Sequence, residues 1–137
     1  MSNPAGSFIW YELMTPDPDA VAPFYAAVVG WTIGAAEAGL PGGMDYRMIG
    51  RTDGKFAGGV LRLSPDMVQH GAHPLWLGYL SSPDVDAHVS AIVADGGKVH
   101  MPAADLSNVG RIAMVTDPQG VPFYLMTRCR PRASQTR

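Results

Sequence analysis

The stretch FIWYELMTPDPDAVAPFYAAVVGW, Phe8 to Trp31, decides the fold, because the chain repeats its layout further on. The second copy is LGYLSSPDVDAHVSAIVADGGK, from Leu77 to Lys98. Within these copies TPDPDA (Thr15 to Ala20) corresponds to SPDVDA (Ser82 to Ala87) at an offset of 67 positions. Two copies predict a fold of two similar modules rather than a solenoid, which needs at least three repeats.

Each copy reads as a strand, a sharp corner and an amphipathic helix. In the first copy the residues from Phe8 to Met14 are aromatic or apolar at nearly every position, which favours a strand. Asp17 is placed to cap the following helix, with Pro18 at its first position and Gly30 as its stop. Strand alternation predicts that Trp10 and Glu12 share one face of that first strand.

The remaining turns extend this layout to β-α-β-β-β in each module. The predicted hairpins turn at Asp53-Gly54 and at the segment from Asp117 to Gly120. In the second module the helix is followed by a short strand, 98–101, and then a loop, 102–110. The predicted organisation is a single domain, 1–137, with module one at about 8–64, a linker at 65–74, module two at about 75–127 and a basic tail at 128–137.

The bulk composition limits the classes of function. The chain has 137 residues, 47% of them hydrophobic and 16% charged, which suits one domain with a real core. A net charge of -2 argues against a nucleic-acid partner. A single cysteine, Cys129, excludes an internal disulfide. Because no window resembles a signal peptide or a membrane span, we expect a cytoplasmic protein without a membrane partner.

Two such modules in a chain of this length resemble the vicinal oxygen chelate superfamily. The resemblance is carried by Asp17, Phe24-Tyr25 and Gly30-Trp31 in the first module. In the second it is carried by the segment from Asp84 to Ala87 and the turn from Asp117 to Gly120. It implies an α+β fold, the glyoxalase/bleomycin-resistance fold, in which two β-α-β-β-β modules form curled mixed sheets around a cup.

The same resemblance implies where metal-using relatives place their ligands. These positions lie seven residues before each helix-opening aspartate and seven residues after the turn aspartate. In this chain they hold Trp10, Leu77 and Tyr124. The last strand of module one offers no His, Asp or Glu either. Since divalent metals need such donors, we expect no metal and no cofactor in the cup.

Glu12 is the leading candidate for chemistry, because it shares the Trp10 face, which the resemblance places in the cup. A carboxylate among apolar walls has a raised pKa and can act as a general base. The alternative is a structural Glu12 paired with an arginine such as Arg47, Arg62 or Arg111. His100, in a strand of the second module, is the other acid–base candidate, since its ordinary pKa suits neutral pH.

Four residues are candidates for ligand binding by the same reasoning. They are Trp10, Leu77, Tyr79 and Tyr124. An aromatic lining holds a flat or apolar molecule, although the same residues can simply fill the core.

Three functions remain open on the sequence. The first is binding of a small, partly apolar or aromatic molecule in a metal-free cup, as in glyoxalase/bleomycin-resistance-like proteins. The second is a lyase, isomerase or epimerase with Glu12 as general base. The third is a dimeric interaction module without catalysis. In each case we expect a homodimer, because open strand edges and apolar faces need covering.

Overall fold

The fold was analysed in a computed structural model, which describes residues 4–38, 40, 43–106 and 109–128. The elements in chain order are β1 (Phe8–Thr15), α1 (Pro18–Val29), β2 (Thr32–Ile33), β3 (Tyr46–Gly50), β4 (Phe56–Arg62), α2 (Pro65–Gln69), β5 (Leu75–Ser81), α3 (Val85–Ala94), β6 (Lys98–Leu106), β7 (Gly110–Thr116) and β8 (Pro122–Arg128). The order β-α-β-β-β occurs twice, separated by α2. The predicted α+β class with two such modules is therefore confirmed.

The chain forms two compact units, and each contains four strands that follow the same kind of hydrogen-bonded order. The first unit, Trp10–Leu77, has the order β2-β3-β4-β1, in which β1 and β4 are parallel and the other pairs antiparallel. The second unit combines the described residues up to Ile9 with those from Gly78 onward. Its order is β5-β8-β7-β6, again with one parallel pair, β5 and β8.

The two long helices begin with the same local structure, as the repeat predicts. The Asp17 carboxylate accepts a hydrogen bond from the backbone N–H of Ala20 at 3.1 Å, and Asp84 accepts one from Ala87 at 3.1 Å. Each cap satisfies a backbone N–H that has no partner within the helix. Gly30 ends α1 in the left-handed conformation, with φ 74°. The helix runs through Pro23 from its predicted start at Pro18.

Each unit also repeats one ion pair between its helix and a strand. Asp19, in the first turn of α1, pairs with Arg47 of β3 at 2.6 Å. Asp86, at the equivalent position of α3, pairs with Arg111 of β7 at 2.9 Å. The repeated sequence therefore specifies the position of the helix on the sheet as well as its start.

One apolar cluster lies in each unit. In the first, Leu13, Ile49 and Val60 are buried under α1. In the second, Val85 of α3 is buried against Ala113 and Leu125 of the sheet. Leu13 points to its cluster, so the alternation of β1 directs Trp10 and Glu12 to the opposite face.

The structure adds a helix to the predicted linker, contradicts one predicted strand end and covers only part of the predicted tail. The linker contains the short helix α2, whose start is capped by Ser64. The strand predicted to end at Met101 continues to Leu106, because register shifts in its pairing with β7 carry it past Pro102. Of the predicted basic tail, Arg128 belongs to β8, and positions 129–137 lie outside the described residues.

Candidate functional site

A hydrogen-bonded chain of three side chains lies on the β1 face that the sequence singled out. The indole Nε1–H of Trp10 donates to the hydroxyl oxygen of Tyr46 at 2.9 Å. The Tyr46 hydroxyl in turn hydrogen-bonds to the carboxylate of Glu12. Glu12 is only 2% exposed, whereas Trp10 and Tyr46 are half-buried. These hydrogen bonds thus connect a buried carboxylate to an accessible aromatic ring. We call the three residues the Trp10–Tyr46–Glu12 chain.

The backbone of β4 allows Tyr46 to reach Glu12. Strand β4 lies between β3, which carries Tyr46, and β1, which carries Glu12. Glu12 pairs in register with Gly59 of β4. A Cβ atom at Gly59 would lie 2.1 Å from the Tyr46 hydroxyl oxygen, closer than real Cβ contacts. The missing side chain therefore leaves the space through which the phenol crosses the strand.

The neighbouring Gly58 has a different role. A Cβ atom there would lie 2.1 Å from the backbone oxygen of Tyr11. Gly58 thus permits close approach of β4 to β1, and Gly59 permits passage of the Tyr46 ring. Together the two glycines set the local geometry of the site.

Burial and the Glu12 carboxylate change the acid–base properties of Tyr46. Desolvation is the largest cause that raises the pKa of Tyr46 above its ordinary value of 10.0, followed by the negative charge of Glu12. The hydrogen bond donated by Trp10 acts in the opposite direction, since it stabilises the phenolate. Tyr46 therefore stays protonated and keeps donating to Glu12 at neutral pH.

Two of the arginines considered as structural partners for Glu12 are engaged with aspartates. Arg47 binds Asp19 and Asp45, and these hydrogen bonds raise the pKa of its guanidinium and lower that of Asp45. Arg111 binds Asp86 and Asp105. Their bonds to these aspartates fix strands β3 and β7 rather than the Trp10–Tyr46–Glu12 chain.

The second unit brings together two of the predicted aromatic residues. Tyr79 of β5 and Tyr124 of β8 are register partners in a parallel pair. Their rings stack with centroids 4.2 Å apart and planes 8° from parallel. Both are buried, at 8% and 5% exposed. In strand register, this stacked pair corresponds to Glu12 and Gly59, which are partners in the parallel pair of the first unit.

The other two predicted site residues lie in β5 and β6. Leu77, at the end of the first unit, is 3% exposed within β5. His100 is exposed on β6, the outermost strand of the second unit's order.

The residues at the metal positions implied by the family do not fit a divalent ion. Trp10, Leu77 and Tyr124 occupy those positions, and none is among the usual nitrogen, carboxylate or thiolate donors. In the part of the chain that the structure describes, no three His, Cys, Asp or Glu side chains group together as a metal site would require. We therefore derive no chemistry through a metal.

Sequence reasoning missed Tyr46 as part of the site, although Gly58-Gly59 within a predicted strand indicates a bulge or a close backbone approach, and the structure has the close approach. The adjacent glycines were a usable signal, because glycine inside a strand indicates close approach of a backbone or a ring. Tyr46 carried no comparable signal. It is 36 positions from Trp10, and only the strand register brings the two together.

Comparison with known proteins identifies the family. The sequence matches the family described as "Glyoxalase-like domain" over residues 10–126. The chain belongs to this glyoxalase-like family. CFP32 of Mycobacterium bovis, a protein named as a glyoxylase, is 36% identical over 124 residues. That match covers 90% of this chain and 45% of CFP32.

A second relative carries a name from a biosynthetic pathway. The "Anthracycline biosynthesis protein DnrV" of Streptomyces peucetius is 33% identical over 128 residues, covering 86% of this chain and 46% of DnrV. The glyoxalase-like chain thus spans about half the length of the curated relatives that it matches.

Solved structures with the same fold include two methylmalonyl-CoA epimerases. That of Streptomyces coelicolor, in complex with 2-nitronate-propionyl-CoA, has a TM-score of 0.64 at 20% identity, covering 93% of this chain and 100% of the epimerase. That of Mycobacterium tuberculosis has a TM-score of 0.63 at 16% identity, covering 98% and 96%. At these identities the likeness establishes the fold. None of the helices in the described ranges is long and apolar enough to cross a membrane.

Proposed function

We propose that this glyoxalase-like protein binds a small, partly apolar or aromatic molecule against an aromatic wall formed by Trp10 and Tyr46. The observation that carries the proposal is the hydrogen-bonded chain from Trp10 through Tyr46 to the buried Glu12. A ring held at its polar edge keeps one orientation and loses little freedom on binding a ligand. Such a wall suits stacking of a flat molecule.

Burial supports a positioning role for Glu12 over direct contact with a ligand. The Glu12 side chain is 2% exposed, whereas the Trp10 ring at the other end of the chain is half-buried. The carboxylate accepts from Tyr46, which leaves the Tyr46 oxygen in place to accept the Trp10 N–H. Glu12 then positions the rings of Tyr46 and Trp10 without contacting the ligand, and the two rings contact the ligand.

The stacked pair Tyr79 and Tyr124 of the second unit is proposed as a further set of ligand contacts. The support is the register that stacks the two rings.

The relatives suggest the first compounds to try. The name DnrV associates that protein with anthracycline biosynthesis. Anthracyclines are flat, fused-ring molecules, so they match the chemistry proposed for the wall. We therefore choose an anthracycline, and single-ring aromatics for comparison, as the first binding probes.

The test uses the intrinsic fluorescence of the three tryptophans. We expect saturable quenching by the probe in the wild type and in Trp76→Phe, and weaker binding by at least fivefold in Trp10→Phe. Trp76 is the matched control because it is 41% exposed and makes edge-to-face contacts in a different cluster, with Tyr25 and Trp31. Equal affinity of all three proteins for the probe would refute the proposal that the ligand binds against Trp10.

A second candidate function is proton transfer next to a carbonyl, with Glu12 as general base. It is favoured by one observation, a carboxylate removed from water and held by a neutral donor. The structures of methylmalonyl-CoA epimerase share the fold, so carbonyl compounds including thioesters are the substrates to test.

Deuterium exchange separates the two functions. Carbonyl compounds are incubated with the protein in D2O, and exchange at the α-carbon is followed by NMR. If Glu12 is the general base, Glu12→Gln abolishes the exchange, whereas His100→Ala, at an exposed position, keeps it. If His100 is the base, His100→Ala loses the exchange. If the exchange rate does not exceed the protein-free rate, the enzyme hypothesis is refuted and ligand binding remains as the proposed function.

A further inference from the structure

A cavity of about 260 Å³, open to solvent on one side, lies within the second unit between α3 and the β7–β8 hairpin. One stripe of α3, which includes His88, Ala91 and Ile92, forms one wall. Phe123 of β8 and the turn proline Pro118 form the opposite side. The cavity is separate from the Trp10–Tyr46–Glu12 chain, whose residues all belong to the first unit.

The two long helices differ at the position beside this space. At the offset of 67, Ala91 takes the position that Phe24 holds on α1. Ala91 is exposed and lines the cavity, so a ring introduced there would cover its mouth.

His88 provides an oriented polar group in the cavity wall. Its Nδ1 lies 2.7 Å from the hydroxyl oxygen of Ser82, which is 2% exposed. That hydroxyl already accepts from the backbone N–H of Asp84 at 3.2 Å, so its own proton is available to His88 Nδ1. A neutral imidazole that accepts at Nδ1 carries its proton on Nε2. In that tautomer the ring has an N–H donor left for a ligand.

The rim of the cavity selects against anions. Asp95 at the end of α3 and Asp117 at the start of the hairpin turn both contribute to the lining. Asp117 is held in place by hydrogen bonds from the backbone N–H groups of Gln119 and Val121 at 2.8 and 3.0 Å. A bound carboxylate or phosphate would meet two carboxylates around an otherwise apolar space.

We propose that this cavity is a second ligand site, which takes a neutral single-ring molecule carrying one hydrogen-bond acceptor. The apolar walls receive the ring, and the His88 Nε2–H donates to the acceptor. Size agrees with this class, since an engineered apolar cavity of roughly 150 Å³ already holds benzene. An aryl ketone has the required combination of ring and oxygen.

The test compares three probes of similar size by NMR titration of the isotopically labelled protein: acetophenone, ethylbenzene and benzoate. We expect saturable shifts at the amides of Ala91 and Ile92, with acetophenone binding about fivefold tighter than ethylbenzene, the effect of one net hydrogen bond. Benzoate should bind more weakly than either. Shifts without saturation, or equal affinities for acetophenone and benzoate, would overturn the proposal.

Two variants locate the site. Ala91→Phe covers the mouth of the cavity with the ring that α1 carries at the equivalent position, and should abolish acetophenone binding. Ser90→Phe is the matched control, because Ser90 is exposed on α3 and does not line the cavity. In a second variant, Asp95→Lys, benzoate should bind more tightly than in the wild type. Unchanged acetophenone binding in Ala91→Phe, or unchanged benzoate binding in Asp95→Lys, would contradict the assignment of the site.

Discussion

Tyr46 lies across Gly59, so closely that a Cβ atom on the glycine would come within 2.1 Å of the tyrosine hydroxyl oxygen. This relationship joins β3 to β1 over the intervening strand and lets Tyr46 bond to both Trp10 and Glu12. The candidate site therefore depends on the absence of a side chain as much as on the three side chains that form it.

We predict that Gly59→Ala destabilises the protein by about 1–3 kcal/mol, the usual cost of overpacking a filled interior. The added methyl group forces the Tyr46 ring away from Glu12. Denaturant unfolding measures the effect. Gly50→Ala is the control, because a Cβ there would meet its nearest neighbour at an ordinary 3.5 Å. Equal stabilities of the two variants would contradict the close approach of Tyr46.

The raised pKa of Tyr46 predicts a loss of stability in alkaline solution. A folded-state pKa above the unfolded value of 10.0 gives a stabilisation that is complete below pH 10.0 and is lost as pH rises above it. Each pKa unit corresponds to about 1.4 kcal/mol. The free energy of unfolding of the wild type should therefore fall more steeply above pH 10.0 than that of Tyr46→Phe. Tyr11→Phe, which removes one phenol at an exposed tyrosine, is the control variant.

The paired helix caps predict matched losses of stability in the two units. Asp17→Ala and Asp84→Ala each remove one capping hydrogen bond of 3.1 Å, and each should cost about 1 kcal/mol. Asp17→Asn and Asp84→Asn should cost much less, since asparagine also caps helices. Thermal or denaturant unfolding provides the measurement. A loss at only one of the two aspartates would show that the caps are not energetically equivalent.

The residues at the family's metal positions predict a protein without a stoichiometric divalent ion at the site. Trp10, Leu77 and Tyr124 provide no suitable donors. Elemental analysis of the purified protein, after removal of any affinity tag, should find well under one equivalent of Zn, Ni, Mn or Fe. One equivalent that disappears in a Glu12→Gln variant would prove this prediction wrong.

We also predict a homodimer. The order of the second unit ends at β6, a nine-residue strand with mostly exposed residues, and α1 exposes Phe24 and Val28 at 59% and 60%. Long edge strands and apolar faces favour association. Light scattering at micromolar concentration should report twice the mass of the 14.6 kDa chain. A monomer under those conditions would count against the prediction.

The sequence by itself determined the repeated β-α-β-β-β layout and both helix starts. These signals are local. A cap depends on residues three positions apart, as in Asp17 and Ala20, and a strand face depends on alternate residues, as in Trp10 and Glu12. For the same reason the sequence could indicate that Trp10 and Glu12 belong to one surface.

Only the tertiary structure decided which groups complete that surface. Tyr46 reaches Glu12 because β4 separates β3 from β1 and carries Gly59 at the crossing point, a relationship set by the strand register. Register also carried β6 past Pro102, against the local preference of proline for a strand end. The cavity beside Ala91 arises in the same way, since its volume depends on how α3 packs against β8. Packing between distant segments has no local sequence signal, because it depends on the whole set of neighbours.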